Sequence, residues 1–163
     1  AEQRNQIGVL SHTTCLYPDL TALENFLFYA KLYGLDDPEK RANESIREAG
    51  LQLRRHDPVR TYSRGMQQRM AIARATLHDP SVLFLDEPFT GLDLRATNAL
   101  KNHLHNLHTG KRTIIMTTHD ISCGLEMCDK VAIQHKGKFL LLESVDKIDR
   151  ENFENFYTEI LEK

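Results

Sequence analysis

Long apolar runs, net charge and cysteine are all scarce in this sequence of 163 residues. No run approaches the length that spans a bilayer, and the polar start AEQRNQIGVL argues against a signal peptide. A formal net charge of -2 gives no electrostatic footprint for nucleic acid. Three cysteines without metal-ligand spacing argue against a disulfide framework or a zinc site. The remaining composition is typical of one globular domain of cytoplasmic character.

The order of the predicted elements indicates an α/β fold. A strand is expected from Ile7, and a Thr21–Glu24 capping box then opens a first helix. Pro38 opens a second helix and Ser63 a third. A strand, a helix and a strand follow, then an apparent hairpin and an amphipathic C-terminal helix. Strands that alternate with helices are typical of a parallel sheet.

Two adjacent carboxylates end the apolar run in VLFLDEPFTGLD, residues 82–93. The run has the residue types of a strand buried on both faces, so Asp86 and Glu87 are expected at its carboxyl end. Ligands of open α/β sheets bind outside that end, which suggests that the two acids handle a metal or a water. A strand end capped by solvated charge is the alternative, and these residues alone favour neither interpretation.

Two further sites suit an anion. Ser63 and Gly65 open a helix whose unpaired N–H groups attract phosphate, although an ordinary N-cap is the favoured interpretation of these two residues alone. His119 follows the apolar strand TIIMTT, so it is expected on the same rim as Asp86 and Glu87. A histidine there would hold a phosphate oxygen or a water, or it would cap the next helix.

Three more histidines, His103, His105 and His108, lie on one predicted helix. A metal site is the alternative there, but no cysteine or acid completes a shell of ligands. An exposed polar face is therefore favoured.

The segments YSRGMQQR, VLFLDEPFTGLD and TTHD occur in this order over about sixty residues. They resemble the signature motif, the Walker B strand with its D-loop, and the switch histidine of ABC-type ATPases. IGVLSHTTCLYPDLTALENF is similar to the Q-loop that leads into the helical subdomain of that family. LYPDLTALENFLFYAKLYGL and YSRGMQQRMAIARA most resemble the ATPase subunit of bacterial haem exporters used in cytochrome c biogenesis.

The resemblance implies a P-loop NTPase-like ABC ATPase domain over residues 1–163. A helical subdomain over about 14–78 would carry the signature motif. Residues 1–13 and 79–163 would belong to the catalytic core with its parallel sheet.

The resemblance also implies a role for each residue around ATP and Mg²⁺. Asp86 would hold Mg²⁺ through water, and Glu87 would polarise the attacking water. His119 would contact the γ-phosphate. His12, followed by Thr13, stands where the family usually has the Q-loop glutamine.

A second group of residues would face a partner ATPase domain. Ser63 and Gly65 would lie against the γ-phosphate of the partner's nucleotide, and Asp93 would lie in the D-loop across the dimer interface. Arg64 and Met66 depart from the family, which most often has glycine and glutamine at these positions.

The P-loop G-x-x-x-x-G-K-[ST], which cradles the β- and γ-phosphates, does not occur in this sequence. The resemblance therefore implies the C-terminal part of an ABC ATPase domain, with Ala1 as a truncation point. We expect a gap or an exposed edge beside the strand that precedes His119. We also expect weak or no ATP binding by this chain alone, which would then be inactive.

Three functions follow from these expectations. The first is the ATP-binding and ATP-hydrolysing subunit of an ABC transporter, haem-exporter-like, cytoplasmic and peripheral on the inner face of the cell membrane. Its partners would be a transmembrane permease subunit and a second ATPase domain, without nucleic acid. The second is a soluble ABC-type ATPase that works on DNA or ribosomes, and the third is a non-catalytic remnant. Retention of Asp86, Glu87 and His119 argues against the remnant.

Overall fold

The computed structural model describes residues 6–107 and 112–161. The chain separates into two compact units, one ending at Thr117 and the other starting at Thr118. No helix among the described residues is long and apolar enough to cross a membrane. The expected limits of the helical subdomain stay a prediction.

In its described residues, the first unit contains a three-stranded parallel sheet and four α-helices. Its strands lie in the order β1 (Ile7–Leu10), β2 (Val82–Asp86) and β3 (Thr113–Thr117). Within the described residues β3 pairs only with β2, which gives the expected sheet edge. The strand, helix, strand unit predicted from the sequence is confirmed. The elements are β1 (Ile7–Leu10), α1 (Ala22–Leu32), α2 (Pro38–Glu48), α3 (Arg64–Thr76), β2 (Val82–Asp86), α4 (Leu94–Leu107) and β3 (Thr113–Thr117), with 3-10 turns at Gln52–Arg54 and Val59–Thr61.

The helices of the first unit start where their capping residues predict. The Thr21 hydroxyl accepts a hydrogen bond from the Glu24 backbone N–H at 3.2 Å, and the Glu24 carboxylate accepts one from the Thr21 N–H at 2.8 Å. Asp37 caps α2 by accepting from the Lys40 N–H at 3.1 Å. These bonds satisfy backbone donors that a helix start leaves unpaired, which fixes where α1 and α2 begin.

Helices α1, α2 and α3 enclose the main hydrophobic core. The Asn25 side chain is fully buried there and bonds both the N–H and the C=O of Tyr17, which ties the segment after β1 to α1. Buried polar groups require such partners. The largest fully buried side chains of this core are Phe26, Ile46, Leu51, Met70 and Leu77.

Strand β2 is buried on one face only, so the prediction of burial on both faces is wrong. Leu83 and Leu85 are at most 1% exposed, whereas Phe84 is 39% exposed. In the strand register Phe84 lies between Val9 and Ile115, each 47% exposed. Successive side chains of a strand point to opposite faces. The apolar run therefore alternates between a packed face and a row of exposed apolar side chains, and the strand TIIMTT follows the same pattern.

The second unit is built around an antiparallel hairpin. Lys136 and Gly137, with φ of 46° and 78°, form the two-residue turn of the predicted hairpin, and this turn geometry requires positive φ at both positions. Phe153 is buried against Leu125 and Ile133, so the apolar stripe of the last helix packs onto its own unit. The elements are α5 (Ile121–Met127), β4 (Lys130–His135), β5 (Lys138–Ser144) and α6 (Phe153–Leu161), with a 3-10 turn at Val145–Lys147.

His103 departs from the exposed face predicted for its helix. Its Nε2 atom is buried without a hydrogen-bond partner among the described residues. Burial, together with the nearby Arg69 guanidinium, lowers the pKa of His103. Burial also lowers the pKa of His78, whose ring stacks on Tyr33 at 4.2 Å. His108 lies outside the described residues.

We expect the protein to lose stability as pH falls through about 6.5. The lowered pKa values of His103 and His78 mean that the unfolded state, where histidine titrates near 6.5, binds more protons than the folded state. The free energy of unfolding is therefore intact above that pH and falls below it. Urea unfolding at pH 7.5 and 5.5 should show a smaller acid loss for His103→Gln than for the unchanged protein. His105→Gln, at an exposed position of α4, is the control, and an equal acid loss in both variants would contradict this account.

Candidate functional site

The carboxyl end of β2 brings Asp86 and Glu87 beside the end of β3. Asp86 pairs in register with Thr117, and its Oδ1 accepts a hydrogen bond from the Thr117 hydroxyl at 2.7 Å. The Glu87 N–H donates to the Thr117 carbonyl at 3.1 Å. The Asp86 side chain is exposed, and carboxylate and hydroxyl oxygens are donors that suit Mg²⁺.

Glu87 leaves the strand in a left-handed backbone conformation, with φ of 49°. A non-glycine residue in this region costs on the order of 1–3 kcal/mol and persists only where its surroundings fix it. The Glu87 Oε2 accepts from the Thr90 hydroxyl at 3.1 Å, and the Thr90 N–H donates to the Glu87 carbonyl at 3.2 Å. The Glu87 side chain is half-buried and hydrogen-bonded within a turn. A strand end capped only by solvated charge would need neither the burial nor the turn.

Ser63 and Gly65 occupy the start of α3, as predicted, but Gly65 has a packing reason for its identity. The Ser63 hydroxyl is the N-cap and accepts from the Met66 N–H at 3.3 Å. A Cβ atom at Gly65 would stand 2.8 Å from the Cβ of Ala96 in the first turn of α4. The absence of a side chain at Gly65 therefore lets α4 pack closely against α3. The sequence did not predict this contact.

Asp93 caps α4. Its Oδ1 accepts from the Ala96 N–H at 2.7 Å, and its carbonyl accepts from the Thr97 N–H at 2.8 Å. Through the contact of Ala96 with Gly65, the residue expected in the D-loop and the start of α3 lie close together in one chain.

The two histidines follow the outer strands in the sequence. His12 is exposed, two residues after β1, and within the described part of the chain it is not hydrogen-bonded to the other candidates. His119 is exposed, two residues after β3, and belongs to the second unit. It is not the cap of α5, because Asp120 fills that position by accepting from the Cys123 N–H at 2.8 Å.

A contact that the sequence did not predict joins α3 to residues 87–93, which we name the Glu87 loop. The Gln68 side-chain amide donates to the Pro88 carbonyl at 2.8 Å. A Cβ at Gly91 would stand 2.6 Å from the Arg64 guanidinium carbon, so this side chain lies flat against the loop. Arg64, a departure from the family pattern, therefore has a local packing partner.

Comparison with known proteins agrees with this geometry. The model of the ABC transporter family matches residues 1–90. A solved structure described as the ATP-binding subunit of an ABC transporter has a TM-score of 0.79 and 30% sequence identity, over 96% of this chain and 69% of that one. The chain belongs to the ABC transporter family. The α/β ABC ATPase fold expected from the sequence is confirmed, and members of this family bind ATP with Mg²⁺ and hydrolyse it.

Two curated relatives illustrate the range of the family. A linearmycin resistance ATP-binding protein of Bacillus subtilis is 35% identical over 144 residues, 87% of this chain and 46% of that protein. A fluoroquinolones export ATP-binding protein of Mycobacterium tuberculosis is 38% identical over 141 residues, 85% of this chain and 46% of that protein. The chain thus spans less than half the length of these two relatives.

The close approach of Gly65 and Ala96 predicts a repairable clash. Gly65→Ala adds a methyl group at a site without room for it, and such overpacking typically costs about 1–3 kcal/mol. Alanine also favours a helix over glycine by about 1 kcal/mol, so the single variant understates the clash. We expect a double-mutant cycle with Ala96→Gly, measured by urea unfolding, to show favourable coupling between the two changes. Additive effects would mean that the two positions are not in contact.

Proposed function

We propose that this chain is part of the ATP-binding, ATP-hydrolysing subunit of an ABC exporter. The observation that carries the proposal is the Asp86–Glu87 pair, held at the end of β2 by Thr117 and Thr90 in a chain of this family. The resistance and export functions in the names of its relatives support the exporter class.

Asp86 would hold Mg²⁺ through water. Its exposed carboxylate is accessible to a hydrated cation, and the hydrogen bond from Thr117 limits its rotation. The cation, when bound, supplies positive charge that offsets the charge developing on a transferring phosphoryl group.

Glu87 would orient the attacking water and accept its proton. A general base must lie within hydrogen-bond reach of that proton and keep its position during the reaction. The turn through Thr90 and the backbone bond to Thr117 restrain Glu87 in this way. His119 would contact the γ-phosphate, and His12 would stand at the Q-loop position of the nucleotide site.

Ser63, Gly65 and Asp93 would face a second ATPase domain. The start of α3 offers an exposed N-cap hydroxyl and backbone N–H groups, which attract phosphate at a helix N-terminus. Because the Cα of Gly65 already lies against Ala96, its contribution to phosphate binding would come from its backbone N–H.

This chain has residues that would hold Mg²⁺ and the attacking water, but it lacks the motif that would bind the phosphate chain of ATP. The motif G-x-x-x-x-G-K-[ST], whose backbone N–H groups cradle phosphates, does not occur in these 163 residues. We therefore propose that this chain alone binds ATP weakly or not at all.

The partners in this proposal are a transmembrane permease subunit and a second ATPase domain, at the inner face of the cell membrane. The segment between His12 and Ser63 forms two α-helices of 11 residues each, which are too short for a long coiled coil, so this segment gives no support to an ATPase that works on DNA. A haem specificity rests only on the wording of two sequence segments, and the relatives named above do not support it. The transported molecule therefore stays outside the proposal.

Calorimetry with Mg-ATP tests the proposal. We expect the full-length gene product to bind ATP and the 163-residue chain to show little or no binding. In the full-length protein, Glu87→Gln should keep ATP binding and lower turnover by about 10²- to 10⁴-fold, because it removes the general base. Glu39→Gln, at an exposed acid in the first turn of α2, is the control. Tight binding by the short chain, or full turnover without Glu87, would overturn the assignment.

A further inference from the structure

Three contacts connect the first two turns of α3 to the chain that follows Glu87. The Gln68 amide donates to the Pro88 carbonyl at 2.8 Å, Arg64 lies against Gly91, and Gly65 lies against Ala96. Only the first of these contacts is a directional hydrogen bond to a residue next to Glu87.

We propose that Gln68 is a positioning residue for Glu87, which it fixes from α3 through the carbonyl of Pro88. The proposal rests on the hydrolytic role proposed for Glu87. Gln68 touches neither the nucleotide nor the attacking water in this scheme and acts only through the loop backbone.

The backbone around Glu87 explains why such a bond matters. Glu87 has φ of 49°, a conformation that relaxes unless neighbouring groups hold it. The ring of Pro88 fixes its own φ and removes its N–H, so its carbonyl is its one backbone group able to hydrogen-bond. Pro88 is buried, and a buried carbonyl needs a donor, which the half-buried Gln68 side chain supplies.

The position of Gln68 gives the bond a second consequence. Ser63 and Gln68 lie on the same helix, with Ser63 at its N-cap. In the proposed dimer, the start of α3 faces one nucleotide while Glu87 of the same chain serves the other. The Gln68 bond therefore links, within one chain, the helix that carries Ser63 to the loop that carries Glu87.

The test compares two adjacent glutamines in the full-length gene product. Gln68→Leu shortens the side chain by one atom and removes the donor to the Glu87 loop. Gln67→Leu is the matched control, since Gln67 donates instead to the carbonyls of Val59 and Tyr62, at 3.3 and 3.4 Å. Gln68→Glu is a second variant of the same shape, and its ionised side chain accepts hydrogen bonds but does not donate them.

We expect Gln68→Leu and Gln68→Glu to lower kcat for ATP hydrolysis by about ten- to a hundredfold, the loss that a small misplacement of a reacting group causes. The KM for ATP should stay within a factor of about two, because the loop does not bind substrate in the ground state. Amide hydrogen exchange at Glu87 and Thr90 should quicken in both variants. Gln67→Leu should change none of these quantities.

The outcomes separate this inference from the proposed function. If the unchanged protein does not hydrolyse ATP, the proposed function fails, and unchanged exchange at Glu87 and Thr90 in the Gln68 variants would reject the positioning role as well. If the unchanged protein is active and kcat does not fall in the Gln68 variants, the inference alone is wrong. Equal losses in the Gln67 and Gln68 variants would show a general effect on α3 and would also overturn it.

Discussion

The close approach of α3 to β1 is the constraint on which the first unit depends. A Cβ at Gly8 would stand 2.2 Å from the carbonyl oxygen of Ala75, so only glycine lets the helix lie this near the strand. Arg74 strengthens the junction, because its guanidinium donates to the Val9 carbonyl at 2.8 Å and lies over the ring of Tyr29. The C-terminal end of α3 is thus fixed on the sheet, and the first turns of the helix contact the Glu87 loop.

Local signals in the sequence predicted much of this fold. The Thr21–Glu24 capping box and the Lys136-Gly137 turn involve neighbours in the chain, so their residue types report the conformation directly. The position of Asp86 and Glu87 at the end of β2 followed from the apolar run before them. Residue types and spacing were sufficient because each of these features forms within a few residues.

Features that depend on packing between elements distant in the chain could not be predicted from the sequence. The Gln68–Pro88 bond joins residues 20 apart, and the contact of Gly65 with Ala96 needs two helices to meet. Phe84 belongs to an apolar run, and such a run does not indicate whether other elements pack on one face of the strand or on both. The exposed row of Val9, Phe84 and Ile115 is thus a property of the assembled sheet.

The positive φ of Glu87 sets the stability of the fold against the proposed chemistry at the same residue. Glycine adopts positive φ without steric cost, so it would suit position 87 better than any acid as far as folding is concerned. Selection for thermostability alone would drift toward glycine there, whereas selection for turnover would retain the carboxylate. Laboratory evolution of this chain under heat, without a requirement for activity, should therefore replace Glu87 before it replaces Asp86.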